Sequence, residues 1–208
     1  MRDTKERILR TSLSLFAREG YEAVSVSSIA EALGMTKGAL YKHYPSKRAV
    51  FDDILARMEA LDASRAAEYG VPEGPAEEMG DAYRTTPVDA MVDYARAQFR
   101  YWTEDELAAP FRRMLTLEQF RSPEMGRLYQ QYLVSGPLGY MADLFSGLGL
   151  PEPQQEAAAF YAPMFLLYGV YDGAAEKAPV TALMDEMLEN ARARLKAAAG
   201  RKEQEVPC

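Results

Sequence analysis

Three residue types with distinctive chemistry are almost missing from this chain: its 208 residues include one cysteine, one histidine and one tryptophan. The cysteine is Cys208, the last residue, so no internal disulfide can form, and the thiol reads as part of an exposed end. One histidine and a terminal cysteine cannot supply the nitrogen and sulfur ligands of a zinc or other transition-metal site, so no metal is expected. A glycine-rich phosphate loop is missing, as is any Ser/His/Asp arrangement. The many carboxylates show no pairing beyond what helix surfaces produce. No catalytic residue and no cofactor are therefore expected, and an enzyme is the disfavoured reading. No apolar run is long enough to span a bilayer, and the polar, basic N-terminus lacks the apolar core of a signal peptide. A cytoplasmic protein with no membrane partner is expected. Strand-like alternation long enough to build a sheet is also lacking, which leaves an all-α fold.

The helical pattern runs through most of the chain. Thr4 to Glu19 carries Ile8, Leu9, Leu13, Phe16 and Ala17 at helical spacing, and Gly20 ends it. Ser46 caps a helix from Lys47 to Ala67. Residues 69–86 hold Gly70, Pro72, Gly74, Pro75 and Gly80 and little periodicity, so they read as a long loop. Helices follow from Thr86-Pro87 to Trp102 and from Leu107 to Phe120. A third starts at Ser122-Pro123 and is expected to reach Phe145 with a kink at Gly136-Pro137. The last two, 154–171 and 180–199, are expected to end at Gly200 with a polar tail, 201–208, beyond it.

Charge divides the chain. Residues 1–50 hold nine basic and five acidic side chains, and the remainder holds fifteen basic and twenty-six acidic. A small basic head on an acidic body is the asymmetry expected if only the head meets phosphates.

Residues 24–51 concentrate the information in that head. A short helix with Ile29, Ala30, Ala32 and Leu33 ends at Gly34, where a residue tolerant of positive φ is needed. Thr36 caps a second short helix, 37–44, whose Ala39 and Leu40 face inward, with Tyr44 on the same side. Lys37, Tyr41, Lys42 and His43 remain to face outward. Two short helices about a tight turn are the layout of a helix-turn-helix.

The segment resembles the N-terminal domain of TetR-family transcriptional regulators. The resemblance rests on Ile8, Leu9, Phe16, Ala17, Gly20 and Tyr21, then on Val24, Ser25, Val26, Ile29, Ala30, Gly34 and Met35. It continues through Lys37, Gly38, Leu40, Tyr41, His43, Tyr44 and Lys47. It implies a three-helix helix-turn-helix DNA-binding domain over 1–46, followed by a larger helical effector-binding and dimerisation domain over 47–200.

The DNA-binding residues implied are Ser25, Ser27, Thr36, Lys37, Gly38, Tyr41, Lys42, His43 and Lys47. Ser25 and Ser27 sit at a helix N-terminus suited to phosphate. Lys37 reaches a guanine edge or a phosphate, and Gly38 admits close approach of the backbone to the duplex. Tyr41 offers its hydroxyl to phosphate or its ring to a thymine methyl, and Lys42 reads a base. His43 and Lys47 look like phosphate contacts, and Lys47 read alone is a solvated surface charge.

The resemblance also implies a homodimer through the last two long helices and a palindromic operator in double-stranded DNA. The apolar excess of 157–171 and the stripe of 183–195 need covering, though a monomeric core would cover them too. An unidentified small-molecule effector, lipophilic or aromatic, is implied in the body. The pocket candidates are Tyr94, Phe99, Trp102, Phe111, Met114, Tyr129, Tyr132, Phe165 and Tyr168. An aromatic stripe at helical spacing is also what plain core looks like. The implied activity is repression relieved by the effector, with the helix after residue 47 as lever. A DNA-binding protein without a ligand, or an activator, stays open.

Overall fold

The computed structural model describes residues 2–72 and 74–205. Among these, every regular element is a helix: α1 Arg2–Glu19, α2 Val26–Ala32, α3 Lys37–Tyr41, α4 Lys47–Glu68, α5 Gly80–Thr85 and α6 Val88–Glu104, then α7 Ala108–Glu118, α8 Pro123–Leu133, α9 Ser135–Gly147, α10 Pro153–Gly173 and α11 Ala178–Glu205. The all-α expectation holds. Cys208 lies outside the described residues.

Packing divides the chain into two units, one of residues 1–62 and 104–130, the other of residues 63–103 and 131–208. All three crossings fall inside helices, in α4 after Asp62, in α6 before its last residue Glu104 and in α8 after Gln130.

In the first unit α1 is the central post. Ile8, Leu9, Leu13 and Phe16 are fully buried, with Ile29 of α2, Leu40 of α3 and Val50 and Phe51 of α4. Each such side chain contributes roughly 1.5–3 kcal/mol on burial, far more than any surface pair. α7 lies along α1 within this unit and adds Phe111, Met114 and Leu115 to its core. The chain leaves α1 at Gly20, whose φ of +89° suits glycine. A Cβ there would collide with the carboxylate of Glu118 at the end of α7. Glu118 is fully buried, neither of its oxygens is hydrogen-bonded, and Arg121 Nε approaches to 3.7 Å.

In the second unit α9 and α10 pack together, α10 pairs with α11, and α5 rests on α9. Phe99 of α6 stacks on Tyr168 of α10 with centroids 5.6 Å apart, and Phe145 of α9 meets Phe160 of α10 edge-on. Charges join α6 to α11. Arg96 binds Asp185 and Glu189, Arg192 binds Asp89 and Asp93 at 2.6 Å each, and Lys196 binds Asp89 at 2.7 Å. Shared partners make this a network, in which ordering one side chain serves several pairs.

Three local expectations change. The loop expected over 69–86 contains α5, which has no periodicity to show in six residues but is held by one anchor. Tyr83 is buried, and its hydroxyl donates to the Gly74 carbonyl at 3.0 Å. The single kinked helix expected from Pro123 to Phe145 is two helices, broken at Val134 with φ −131° and ψ −90°. Pro137 then falls in the first turn of α9, where its missing N–H is tolerated. At Gly136 any Cβ would run into the Gln131 carbonyl, so the close approach across the break requires glycine. Gly200 does not stop the last helix, which runs on to Glu205. A helical glycine costs about 1 kcal/mol but leaves the backbone bond intact.

Gly20→Ala is expected to destabilise the protein by about 1–3 kcal/mol through forced positive φ alone, read from the denaturant midpoint. Combining it with Glu118→Ala is expected to cost less than the two single losses added, because the second change removes the obstacle. Acid is expected to loosen the α6–α11 network. The hydrogen bonds from Lys196 and Arg192 hold the Asp89 carboxyl below its ordinary 3.8. The stability it contributes is therefore complete above that value and lost as pH falls through its lower folded value. Asp89→Asn is expected to flatten that acid limb in pH-dependent thermal unfolding.

Candidate nucleic-acid interface

α2 and α3 are too short to persist alone, so their ends are closed by specific bonds. Ser25 caps α2: its Oγ accepts from the Ser28 N–H at 3.0 Å, and Ser28 Oγ accepts from the Ser25 N–H at 2.9 Å. The other end of α2 closes with a double bond pattern around Gly34. The Met35 N–H donates to the Ala30 carbonyl, the Gly34 N–H donates to Glu31, and Gly34 holds φ +65°. Thr36 then caps α3, its Oγ1 accepting from the Ala39 N–H at 3.1 Å. The Thr36 cap and the Gly34 turn match their sequence-based expectations, and the Ser25 cap is an addition from the structure. α3 ends at Tyr41, three residues short of the expected Tyr44, and His43 and Tyr44 lie in the turn that follows.

The inward side of this pair is apolar and closed: Ile29 and Leu40 are fully buried, Ala30 nearly so, and Tyr44 is 3% exposed. The nominated DNA-contact residues lie mostly on the open side. Ser25, Ser27, Thr36, Lys37, Gly38, Tyr41 and Lys42 are exposed, and His43 is half-buried. Tyr41 is 43% exposed, a large ring in solvent with Lys37 Nζ 5.8 Å from its centroid. Gly38 has negative φ, and nothing lies within 4 Å of where its Cβ would be. Neither backbone strain nor a neighbour in the chain accounts for glycine at a helical position where it costs about 1 kcal/mol.

Lys47 is half-buried in the first turn of α4. Its Nζ donates to the Tyr21 carbonyl at 2.7 Å and lies 4.2 Å from the Tyr21 ring centroid. It ties the turn after α1 to the start of α4, which is more than a solvated charge does. Behind α3, the Tyr44 hydroxyl donates to Asp53 Oδ2 at 2.5 Å, and Lys5 lies over the Tyr44 ring. Burial, and then the hydrogen bond to Asp53, push the Tyr44 phenol well above its ordinary range. Sequence reasoning passed over Asp53, Arg57 and Glu6 around this tyrosine. Only the i,i+4 spacing of Asp53 and Arg57 was available as a signal.

The nine aromatic and methionine candidates for an effector pocket fall in both units. Tyr94, Phe99, Trp102, Tyr132 and Tyr168 are buried in the second unit, where Trp102 meets Tyr132 at 6.2 Å. Phe165 is 41% exposed on α10. Phe111 and Met114 are fully buried in the first unit, which also holds the half-buried Tyr129. A furrow of about 350 Å³ runs between α10 and α11, lined by Ala159, Pro163, Met187 and Ala191 among others and by none of the nine. Among the described residues no group of three or more His, Cys, Asp or Glu is placed to hold a metal, and no helix is long and apolar enough to cross a membrane.

Residues 8–54 match the sequence model of the family described as bacterial regulatory proteins, tetR family. A stretch of 50 residues is 46% identical to the uncharacterized HTH-type transcriptional regulator YerO of Bacillus subtilis; it is 24% of this chain and 17% of that protein. The fold extends the likeness over nearly the whole chain. A transcriptional regulator of the TerR/AcrR family from Aquifex aeolicus superposes with a TM-score of 0.66 at 17% identity, over 89% of this chain and 98% of its own. SmeT of Stenotrophomonas maltophilia, in complex with triclosan, superposes with a TM-score of 0.61 at 19% identity, over 94% of this chain and 91% of its own. Residues 8–54 thus carry the helix-turn-helix of the tetR family of bacterial regulatory proteins, and the whole chain shares the all-helical fold of these solved regulators.

Proposed function

We propose that this protein is a homodimeric repressor that binds a palindromic operator in double-stranded DNA and leaves it when a small lipophilic or aromatic effector binds the helical body. The observation that carries the DNA reading is the exposed side of α2 and α3. Its residues are polar or basic, it carries an exposed Tyr41, and it places at Gly38 a glycine with no role inside the chain. In this reading Lys37 and Lys42 address base edges or phosphates, Tyr41 meets phosphate or a thymine methyl, and Ser25, Ser27 and Thr36 approach the backbone. His43 and Lys47 add phosphate contacts from the rim.

One helix-turn-helix reads too few base pairs to be selective, so two copies are needed, reading half-sites about 34–36 Å apart or a multiple of that. The exposed apolar side chains of α10 and α11 support a two-copy assembly. Leu166 is 67% exposed, Val170 and Leu183 are each 46%, Phe165 is 41% and Met187 is 37%. Helices of this kind from two chains cover each other in a four-helix bundle. SmeT is described as the repressor of a multidrug efflux pump and is seen with triclosan, an association that supports a lipophilic effector here. The effector acts by binding one arrangement of the dimer better than another, shifting the population away from DNA. Catalysis has no part in this reading, and the cytoplasm is its setting.

Selection from a random duplex library is expected to enrich a palindrome with the intact protein and none with Tyr41→Ala. Enrichment by both, or of an asymmetric site, would contradict the assigned role of Tyr41 or the dimer. The enriched sequence is expected to lose affinity steeply with salt. Leu166→Glu is expected to convert a dimer to a monomer in sedimentation. An unchanged sedimentation coefficient would remove α10 from the interface.

A further inference from the structure

α3 has only five residues, and two buried side chains, Leu40 and Tyr44, fix where its outward groups point. Leu40 is fully buried and apolar, so its contacts carry no directional bond. Tyr44 differs because its hydroxyl is fixed at one point, donating to Asp53 Oδ2 at 2.5 Å. Asp53 also faces Arg57 Nε one turn further along α4, at 3.6 Å. Arg57 reaches the Glu6 carboxylate on α1, and Glu6 in turn accepts from Arg10 Nε at 2.7 Å. The series therefore runs from the turn after α3, through α4, to the N-terminal part of α1, the helix against which α2 and α7 pack.

Exposure decides which links matter. Asp53, Arg57 and Glu6 are each about one-third exposed, 33%, 34% and 33%. The outermost pair, Arg10 with Glu106, has Glu106 81% exposed and is weakened by solvent and salt. The effective part is Tyr44–Asp53–Arg57–Glu6. It contains none of the residues nominated to touch DNA.

We infer that Tyr44, Asp53, Arg57 and Glu6 form a polar brace that sets the pose of α3 and so determines sequence specificity without touching the duplex; this rests on the DNA-binding reading above. The physical reason is the unequal demand of the two binding modes. Phosphate attraction tolerates a helix displaced by an ångström, whereas base-edge hydrogen bonds do not. Loosening the brace therefore lowers affinity for the selected palindrome while leaving affinity for unrelated DNA in place. A residue that bound phosphate would lower both and change the salt dependence.

The test measures binding of the full chain to the wild-type-selected palindrome and to a scrambled duplex of equal length, across a salt series. Tyr44→Phe, which removes only the hydroxyl, and Asp53→Ala are each expected to lower the specific-to-nonspecific affinity ratio by about tenfold. The salt slope on the scrambled duplex is expected to stay unchanged. The double variant is expected to be no worse than either single one, since both break the same bond. Asp53→Asn keeps an acceptor for Tyr44 and is expected to restore part of the ratio. Glu6→Gln loosens the far end without touching α3 and is expected to lower the ratio about two- to threefold, which keeps the test decisive if a substitution nearer α3 impairs folding. An unchanged ratio in Tyr44→Phe and Glu6→Gln, additive effects in the double variant, or an equal loss on both duplexes would each overturn the brace. Failure of the wild type to enrich any duplex would instead remove the DNA-binding reading, and the brace with it.

Discussion

A five-residue helix cannot hold itself together, and this constraint governs the N-terminal unit. Helix formation is cooperative with a costly first turn, so α3 exists only because other parts of the chain supply what its own length cannot. Thr36 and Gly34 close the helix-turn-helix at either side of the turn, Leu40 drives its inner face into the core, and Tyr44 pins the following turn. α1 provides the surface that makes this possible: four of its apolar side chains are fully buried, and α2 and α7 pack against it. A small exposed element held from behind on every side is suited to presenting polar groups with little conformational loss on contact.

The second unit is assembled by different means. Its aromatic side chains interlock, as Phe99 does with Tyr168 and Phe145 with Phe160, and phenol hydroxyls are used to fasten backbone. Tyr140 donates to the Pro72 carbonyl at 3.0 Å, and Tyr161 donates to Leu133 at 2.9 Å. The acidic excess read from composition is partly accounted for here, since Asp89, Asp93, Asp185 and Glu189 meet Arg96, Arg192 and Lys196 across α6 and α11. That network secures one side of α11 and leaves Leu183 and Met187 uncovered. Leu166 and Val170 of α10 are exposed as well.

How much was legible depended on range. The cap at Thr36, the turn at Gly34 and the stripe of α1 were readable because each is set by local sequence. α5 was missed because six residues show no period and its anchor, Tyr83, works through a contact with Gly74 in the preceding loop. The break at Val134 was read as a kink because the obstacle to Gly136 is the Gln131 carbonyl, a backbone atom that no residue identity announces. Arg48 shows the same limit: its partner Asp52 lies one turn away and is legible, whereas Glu124 at 2.8 Å is seventy-six residues distant.

The sequence by itself therefore determined the helical class, the position and capping of the helix-turn-helix, and which of its residues could face outward. Periodicity and capping are local rules, whereas the nine nominated positions in the head came from the resemblance to the TetR family. Only the tertiary structure decided that residues 104–130 pack with the N-terminal helices, and that the nine aromatic and methionine candidates divide between two units. It also decided that Tyr44 is joined through Asp53 and Arg57 to Glu6. Apart from the one-turn Asp53–Arg57 pair, these pairings span distances along the chain over which side-chain identity carries no information about proximity. They arise from how buried faces stack once the helices have formed.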